Sequence, residues 1–445
     1  MNRLRITLNN RRRFVFSAAM AAVLILLAGG ANALAQPTVW TVSKASSNAC
    51  STIPLVTTCN TIGSAVSAAS AGDVIVVGPG TYNEYVYIDK SITLLGAQAG
   101  NDARVDRHGP ESIVNALAGK DAIDIYQATV VIDGFTVRGA AGNYSGIEVE
   151  DSINNNTTQL LNNIFQNNGT GVYLYYSYYG NVVEHNLFRN NNAGGASLGG
   201  YGIYIYYSEF DLINGNEFTG NKTAAIYADY GMYYGTITNN TSENDGAFVV
   251  FVYGNYDVKF CHNRGKNFGR GAFAEYAGDA AVAIGDTYSP FGNEYLDISD
   301  NDLEKGEEPI VNGIAFTTFF ETTGAYAQYV NVTNNRIRGF PENGIVVEAG
   351  SGVTGTLYGP GSYIVGNEVF DNGNDGILIE GPTTSYNSGI SLFQNEAKGN
   401  RVNDCEDDSS GAGPLGTNTW WNNIGSTSFP PGPPPLCTPG RRHDQ

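Results

Sequence analysis

Residues 160–165 read LLNNIF, and the same frame returns as VEHNLF at 183–188 and INGNEF at 213–218. Aligned on the fourth letter, these segments put Asn163, Asn186 and Asn216 in register. ITNNTS, FCHNRG, ISDNDL, VTNNRI, IVGNEV and LFQNEA continue the series with Asn240, Asn263, Asn301, Asn335, Asn367 and Asn395. Three residues before each Asn stands an apolar residue: Leu160, Val183, Ile213, Ile237, Phe260, Ile298, Val332, Ile364 and Leu392. Successive Asn lie 23 to 38 residues apart, a period that signals a chain of stacked repeats with insertions at its loops.

Each interval holds a second segment that opens on Gly or Ala: GIEVED, GVYLYY, GIYIYY, AIYADY, GIAFTT, GIVVEA and GILIEG. Alternation puts Ile147 with Val149, Val172 with Leu174, and Ile203 with Ile205 on one face of a strand. One such repeat has too little apolar surface to fold alone, and stacking neighbours supplies the rest. The expected fold is therefore all-β, a single-domain parallel β-helix of about eleven coils. The recurrent Asn suits a tight turn, where it tolerates left-handed backbone angles and its amide can bond the same residue one coil away. These asparagines are read as structure, not as ligand groups.

Residues 61–97, TIGSAVSAASAGDVIVVGPGTYNEYVYIDKSITLLGA, resemble the opening of right-handed parallel β-helix proteins of the pectin-lyase-like superfamily, which includes NosD-like and pectinesterase-like domains. The resemblance implies a right-handed coil, a short capping helix over 61–69, and a corner turned at GTYNE. The tail at 416–437, GTNTWWNNIGSTSFPPGPPPLC, is similar to the closing segment of bacterial β-helix repeat proteins. The paired aspartates and Gly-His-Gly of polygalacturonases, the Asp-Pro-His-Asp of alginate epimerases and the pectate lyase segments are missing. No catalytic residue carries over from the family. Metal delivery of the NosD-like kind also lacks soft ligands, with three Met and four His in the chain.

Residues 1–35 read as an export signal: five arginines, an apolar run from Phe14 to Ala28, then Ala33 and Ala35 as small cleavage-site residues. Residues 36–402 are expected to form the β-helix and 403–445 a C-terminal cap with a Pro-rich tail. Without the signal, 19 Lys+Arg face 43 Asp+Glu, a net charge of −24. Nucleic acid and anionic membrane are poor partners for such a chain, and a polyanionic sugar would need a bridging cation. The mature protein is expected to be secreted or periplasmic and monomeric. In an exported chain the cysteine spacing favours Cys50–Cys59 and Cys405–Cys437 disulfides, leaving Cys261 as a buried, inert thiol.

Between the inward residues lie those expected to face solvent. They begin with Asp124, Tyr126, Glu148 and Glu150 and continue through Tyr173, Tyr175, Tyr204 and Tyr206 to Tyr227 and Asp229. Val250, Val252, Ala315, Thr317, Val346, Glu348, Leu378 and Glu380 extend the same rows, and Asp151, Tyr176, Tyr207, Tyr230 and Tyr253 take the next position. The pattern predicts acids at one end of a wall of stacked tyrosines. A tyrosine ring offers an apolar face to a sugar's C–H surface and a hydroxyl to its rim. Tyr126, Tyr173, Tyr175, Tyr204, Tyr206, Tyr227 and Asp229 are thus candidate contacts for an extracellular or cell-wall polysaccharide. Tyrosine also fills outward strand positions without any ligand, so a non-catalytic cell-envelope or surface protein using the wall against a protein partner is the competing reading.

If the chain is an enzyme, lyase or hydrolase chemistry would fall to Asp124, Glu148 and Glu150, whose crowding would raise one pKa. The same groups with Asp151 offer hard oxygen ligands suited to Ca²⁺. The basic cluster Lys259, His262, Arg264, Lys266 and Arg270 is read as a loop away from the wall.

Overall fold

The computed structural model describes residues 36–439 apart from 47–49, 54–55, 106, 152–155, 195–198, 270–278, 287–291, 319–326, 349–356, 359–360, 382–386, 410–417 and 432–434. The expected export signal and Arg270 lie outside the described residues. Three long sheets of sixteen, twelve and thirteen strands run along the molecule. One turn of chain shows how they arise. Thr158–Leu161 lies in the first sheet, Ile164–Gln166 in the second and Thr170–Ser177 in the third, and Val182–Glu184 returns to the first. Each strand pairs in parallel with its counterpart one coil on, so Leu160 meets Val183, Phe165 meets Phe188 and Val172 meets Ile203. The second sheet counts twelve rungs, close to the eleven coils expected.

The core follows from the repeat. All nine apolar residues that precede the register asparagines are fully buried, stacked one above the next in the first sheet. Phe165, Phe188 and Phe218 form a matching stack in the second sheet, with ring centroids 4.8 Å apart at each step. Burying a side chain of this kind contributes about 1.5–3 kcal/mol, and the solenoid repeats that gain at every rung. The small residue opening each third-sheet strand has a steric cause. A Cβ on Gly171 would stand 2.5 Å from the carbonyl oxygen of Gly202 on the next coil.

The asparagines form a ladder in the corner between the first two sheets. Asn186 donates its backbone N–H and its Nδ2 to Oδ1 of Asn216, at 3.0 Å each, and Nδ2 also donates to the Leu160 carbonyl. The pattern runs from Asn163 to Asn395, which donates to a tenth rung, Asn423, and all ten residues are buried. One part of the sequence reading is corrected. The left-handed backbone angle belongs to the residue before the ladder position, such as Asn162 at φ 53° or His185 at φ 57°, while the ladder Asn keeps ordinary angles. The reason is geometric: the first corner residue reverses the chain, and the second is thereby aimed inward.

Two features close the ends. Helix α1, Ile62–Ala68, covers the first coil with buried Ile62, Ala65 and Val66. A Cys50–Cys59 disulfide joins the antiparallel hairpin Cys50–Ile53/Val56–Cys59, and a Cys405–Cys437 disulfide ties the other end. Cys261 is half-buried, not buried as expected, because it alternates with inward Phe260 and so lies on the outer side of its strand. Among the described residues no helix is long and apolar enough to cross a membrane.

Candidate functional site

Alternation on the third sheet builds two outward columns. Pairing stacks Asp124, Glu148, Tyr173, Tyr204 and Tyr227 in the first and Tyr126, Glu150, Tyr175, Tyr206 and Asp229 in the second. The fold thus brings all ten candidate residues onto one side of one sheet. Tyr173 and Tyr204 lie 5.1 Å apart, Tyr175 and Tyr206 5.6 Å, and Tyr204 and Tyr227 5.5 Å with planes 7° apart. Ring pairs of this kind contribute about 0.5–1.5 kcal/mol each beyond burial, so the wall also holds itself together.

Outward does not mean exposed along the whole sheet. Tyr227 is only 8% exposed, packed against the rings of Tyr201 and Tyr204. Val250, Val252, Ala315, Thr317, Val346 and Leu378 are buried as well, against the expectation that they face solvent. Alternation fixes the side of the sheet a residue takes but not whether that side is covered, and from Ala247–Val252 onward it is. Two further positions are corrected. Asp151 is buried, accepting from the backbone N–H and Nδ2 of Asn156, which takes it away from the acids. Tyr176, Tyr207 and Tyr230 sit inside third-sheet strands and Tyr253 just beyond one, all at left-handed φ of 46–55° that breaks the alternation, and their rings form a column of their own.

The acids converge at the N-terminal end of the wall. Asp121, which the sequence reading missed, joins Asp124 and Glu148, with one carboxylate oxygen from each lying within 4.8 Å of the others. Asp121 lies just before its strand, outside the alternating pattern, and its Oδ1 accepts the Ser145 N–H at 2.5 Å. Asp124 accepts the Tyr85 hydroxyl at 2.5 Å. Burial pushes the pKa of both aspartates up, against the hydrogen bonds that pull it down. Glu148 is pushed up to about 7, first by burial and then by the charges of Asp121, Asp124 and Glu150. Such a crowd is relieved by holding a proton or by holding a hard cation such as Ca²⁺ through its oxygens. A dent of about 250 Å³ beside it is lined by Asn143, Ser145, Thr170, Tyr173, Tyr201 and Tyr204.

Further along, the Tyr204 hydroxyl donates to Asp229 Oδ2 at 2.6 Å. Burial raises Asp229 to about 6 despite that bond, and burial followed by the Asp229 charge raises the Tyr204 phenol. Tyr204 is therefore a neutral donor fixed in place. The basic cluster lies elsewhere. Arg264 and Lys266 belong to the second-sheet strand Arg264–Phe268 instead of a loop, because the corner ends at Asn263. They pair with acids on adjacent coils, Arg264 with Asp302 at 3.1 Å and Lys266 with Glu243 at 3.3 Å. These pairs line a groove of about 450 Å³ whose charges largely satisfy one another.

The family described as right handed beta helix region matches residues 121–287, the stretch that holds the acids and the whole tyrosine wall. The chain folds as a right-handed parallel β-helix. Among solved structures, this β-helix is similar to the catalytic domain of GH87 alpha-1,3-glucanase in complex with nigerose. Identity is 14% over 88% of this chain and 70% of that one, with a TM-score of 0.50. Alginate lyase from Paenibacillus sp. is 13% identical over 82% of this β-helix and 95% of its own chain, at a TM-score of 0.40. DFA-IIIase from Arthrobacter chlorophenolicus A6 without its lid, in complex with GF2, is 13% identical over 77% and 94%, at 0.44. At such identities the likeness is one of fold. No curated protein sequence matches the chain.

Proposed function

We propose that this β-helix is an exported protein that binds an extracellular polysaccharide along the open part of the tyrosine wall, with Asp121, Asp124 and Glu148 at one end of the bound chain. The observation that carries the reading is the juxtaposition of stacked tyrosines, a lined dent and convergent carboxylates on one sheet side. Aromatic faces with a few polar groups are what sugar recognition requires. The α-1,3-glucanase domain of similar fold, held with nigerose, supports a sugar ligand.

Cleavage is the second reading, favoured by Glu148. Its pKa near 7 keeps a proton available to a glycosidic oxygen, while Asp124 or Asp121 serves as the partner carboxylate. Their oxygens lie nearer to the separation of about 5–5.5 Å found in retaining glycosidases than to the wider inverting one.

A screen of soluble polysaccharides with the wild-type protein and a Tyr173→Ala/Tyr206→Ala variant tests the site. Tyr204 is avoided because its loss would strand Asp229. Binding is expected to weaken about tenfold or more in the variant, given the ring contacts removed. Retention of a protein partner but of no glycan would replace this reading with that of a surface interaction protein. Reducing-end release should fall as pH rises through about 7 and vanish in Glu148→Gln while binding persists; unchanged release would strip the carboxylates of a catalytic role.

A further inference from the structure

The tyrosine wall closes where Tyr227 is 8% exposed and Val250 is fully buried, yet exposed rings do not stop there. They reappear one facet over, in the corner between the third and first sheets. Phe210, Tyr234, Tyr295 and Tyr329 occupy equivalent corner positions at φ 55–60° and are 55%, 47%, 44% and 38% exposed. With Tyr256 they form an unbroken column whose successive ring centroids lie 5.1, 5.7, 5.1 and 4.8 Å apart. The wall leads into it: Tyr206 meets Tyr230 at 4.8 Å, and Tyr230, itself 37% exposed, lies in the strand Ala224–Tyr233 that ends beside Tyr234.

We infer that the bound polymer leaves the third sheet where it closes and crosses the corner, continuing along the Phe210–Tyr329 column as a linear, uncharged polysaccharide. The inference rests on the tyrosine wall being a glycan site and extends it. One aromatic ring per rung over five rungs presents a ridge of constant repeat, which suits a linear polymer better than the irregular surface of a globular partner. From the rung of Asp124 to that of Tyr329 there are seven steps, about 34 Å at the usual strand spacing. Charge selects the polymer. Among the described residues, the corner segments and the strand positions next to them present Glu209, Asp257, Glu294 and Asp297 against the single base Lys259, Asp211 being buried. A chain of uronates would be repelled along the whole path, whereas hydroxyl-bearing neutral sugars can bond to phenols and carboxylates alike.

The test uses linear α-1,3-, β-1,3- and β-1,4-glucans and polygalacturonate, followed by two-, four- and eight-unit fragments of the glucan retained. The variant is Tyr234→Asn/Tyr295→Asn, chosen because Asn accepts the left-handed backbone angle both positions require. Wild-type protein should hold the eight-unit fragment about tenfold more tightly than the four-unit one, and the variant should lose that gain while binding the two-unit fragment as before. That last result also reports a folded variant. A gain with length that survives in the variant would overturn the path, and retention of polygalacturonate in place of every glucan would overturn the uncharged assignment. If no polymer of any length is retained by the wild type, the tyrosine wall itself fails as a glycan site, an outcome distinct from the loss of the long-fragment gain alone.

Discussion

Asp245 ends a buried ladder of amides with a carboxylate. Asn168, Asn191 and Asn221 each donate to Oδ1 of the next, and Asn221 donates its backbone N–H at 2.7 Å and its Nδ2 at 2.8 Å to Asp245. The other oxygen accepts the Ser242 hydroxyl at 2.6 Å. These hydrogen bonds favour the charge, but full burial outweighs them and pushes the pKa up to about 7. An unfolded Asp titrates near 3.9, so between about pH 4 and 7 the folded chain binds more protons than the unfolded one. Stability from this group is complete below about pH 4 and is lost as pH rises through 7. Asp245→Asn carries no charge to bury and can donate where the carboxylate accepted, with the Ser242 hydroxyl turning from donor to acceptor. We expect the variant to match wild type near pH 4 and to exceed it at pH 8 by on the order of 2 kcal/mol, read from urea unfolding at both pH values. Equal stability at pH 8 would show that the carboxylate is held without strain.

At the scale of the element, the capping helix depends on a side chain from outside it. Glu84 accepts the backbone N–H of Ile62 at 3.1 Å and of Gly63 at 2.8 Å, while Thr61 Oγ1 accepts that of Ser64. Three of the four N–H groups left open at a helix start are thus satisfied, which a seven-residue helix needs because its own hydrogen bonds are few. Glu84→Ala should cost about 1–2 kcal/mol and, by loosening α1, expose the strand edge beneath to other molecules. Light scattering on incubation would then rise above wild type, and an unchanged signal would mean the hairpin beside the helix protects the edge alone. The register asparagines and the outward tyrosine columns were legible in the sequence because each repeats with a period that backbone geometry imposes, whereas the capping helix was expected only from the family resemblance of residues 61–97. The breaks in alternation were less legible. Tyr176 and Tyr207 follow an outward Tyr and look like the next alternating position, yet each carries a left-handed angle inside its strand, which offsets the alternation before pairing resumes at Ser177 and Ser208. Asp121 was missed because a residue ahead of its strand obeys no alternation, and the burial of Val250 and Ala315 was missed because periodicity carries no record of what lies over a sheet.

The molecule as a whole is a one-dimensional stack, and its stability should be distributed accordingly. Each rung touches only its neighbours, so a weakness at one end is transmitted by successive loss of rungs and not by collapse of a shared core. The two disulfides guard those ends unequally. Cys405–Cys437 closes a separation of 32 residues and Cys50–Cys59 one of 9, worth about 3.7 and about 2.6 kcal/mol on the loop-closure relation. The first also ties the third-sheet strand Cys405–Asp407 to the segment in which Thr438 bridges Ile424, so it holds the last rung together directly. Removing it in Cys405→Ala/Cys437→Ala should therefore raise amide exchange in the rungs from Ser391–Phe393 onward. Protection around Asn216, Asn240 and Asn263 should stay at its wild-type level, because several intact rungs and their amide ladder separate those residues from the end. Exchange measured by mass spectrometry along the chain decides the matter. A graded loss fading inward from the C-terminal end is the expected result, and a uniform loss over all rungs would mean that the solenoid unfolds as one cooperative unit.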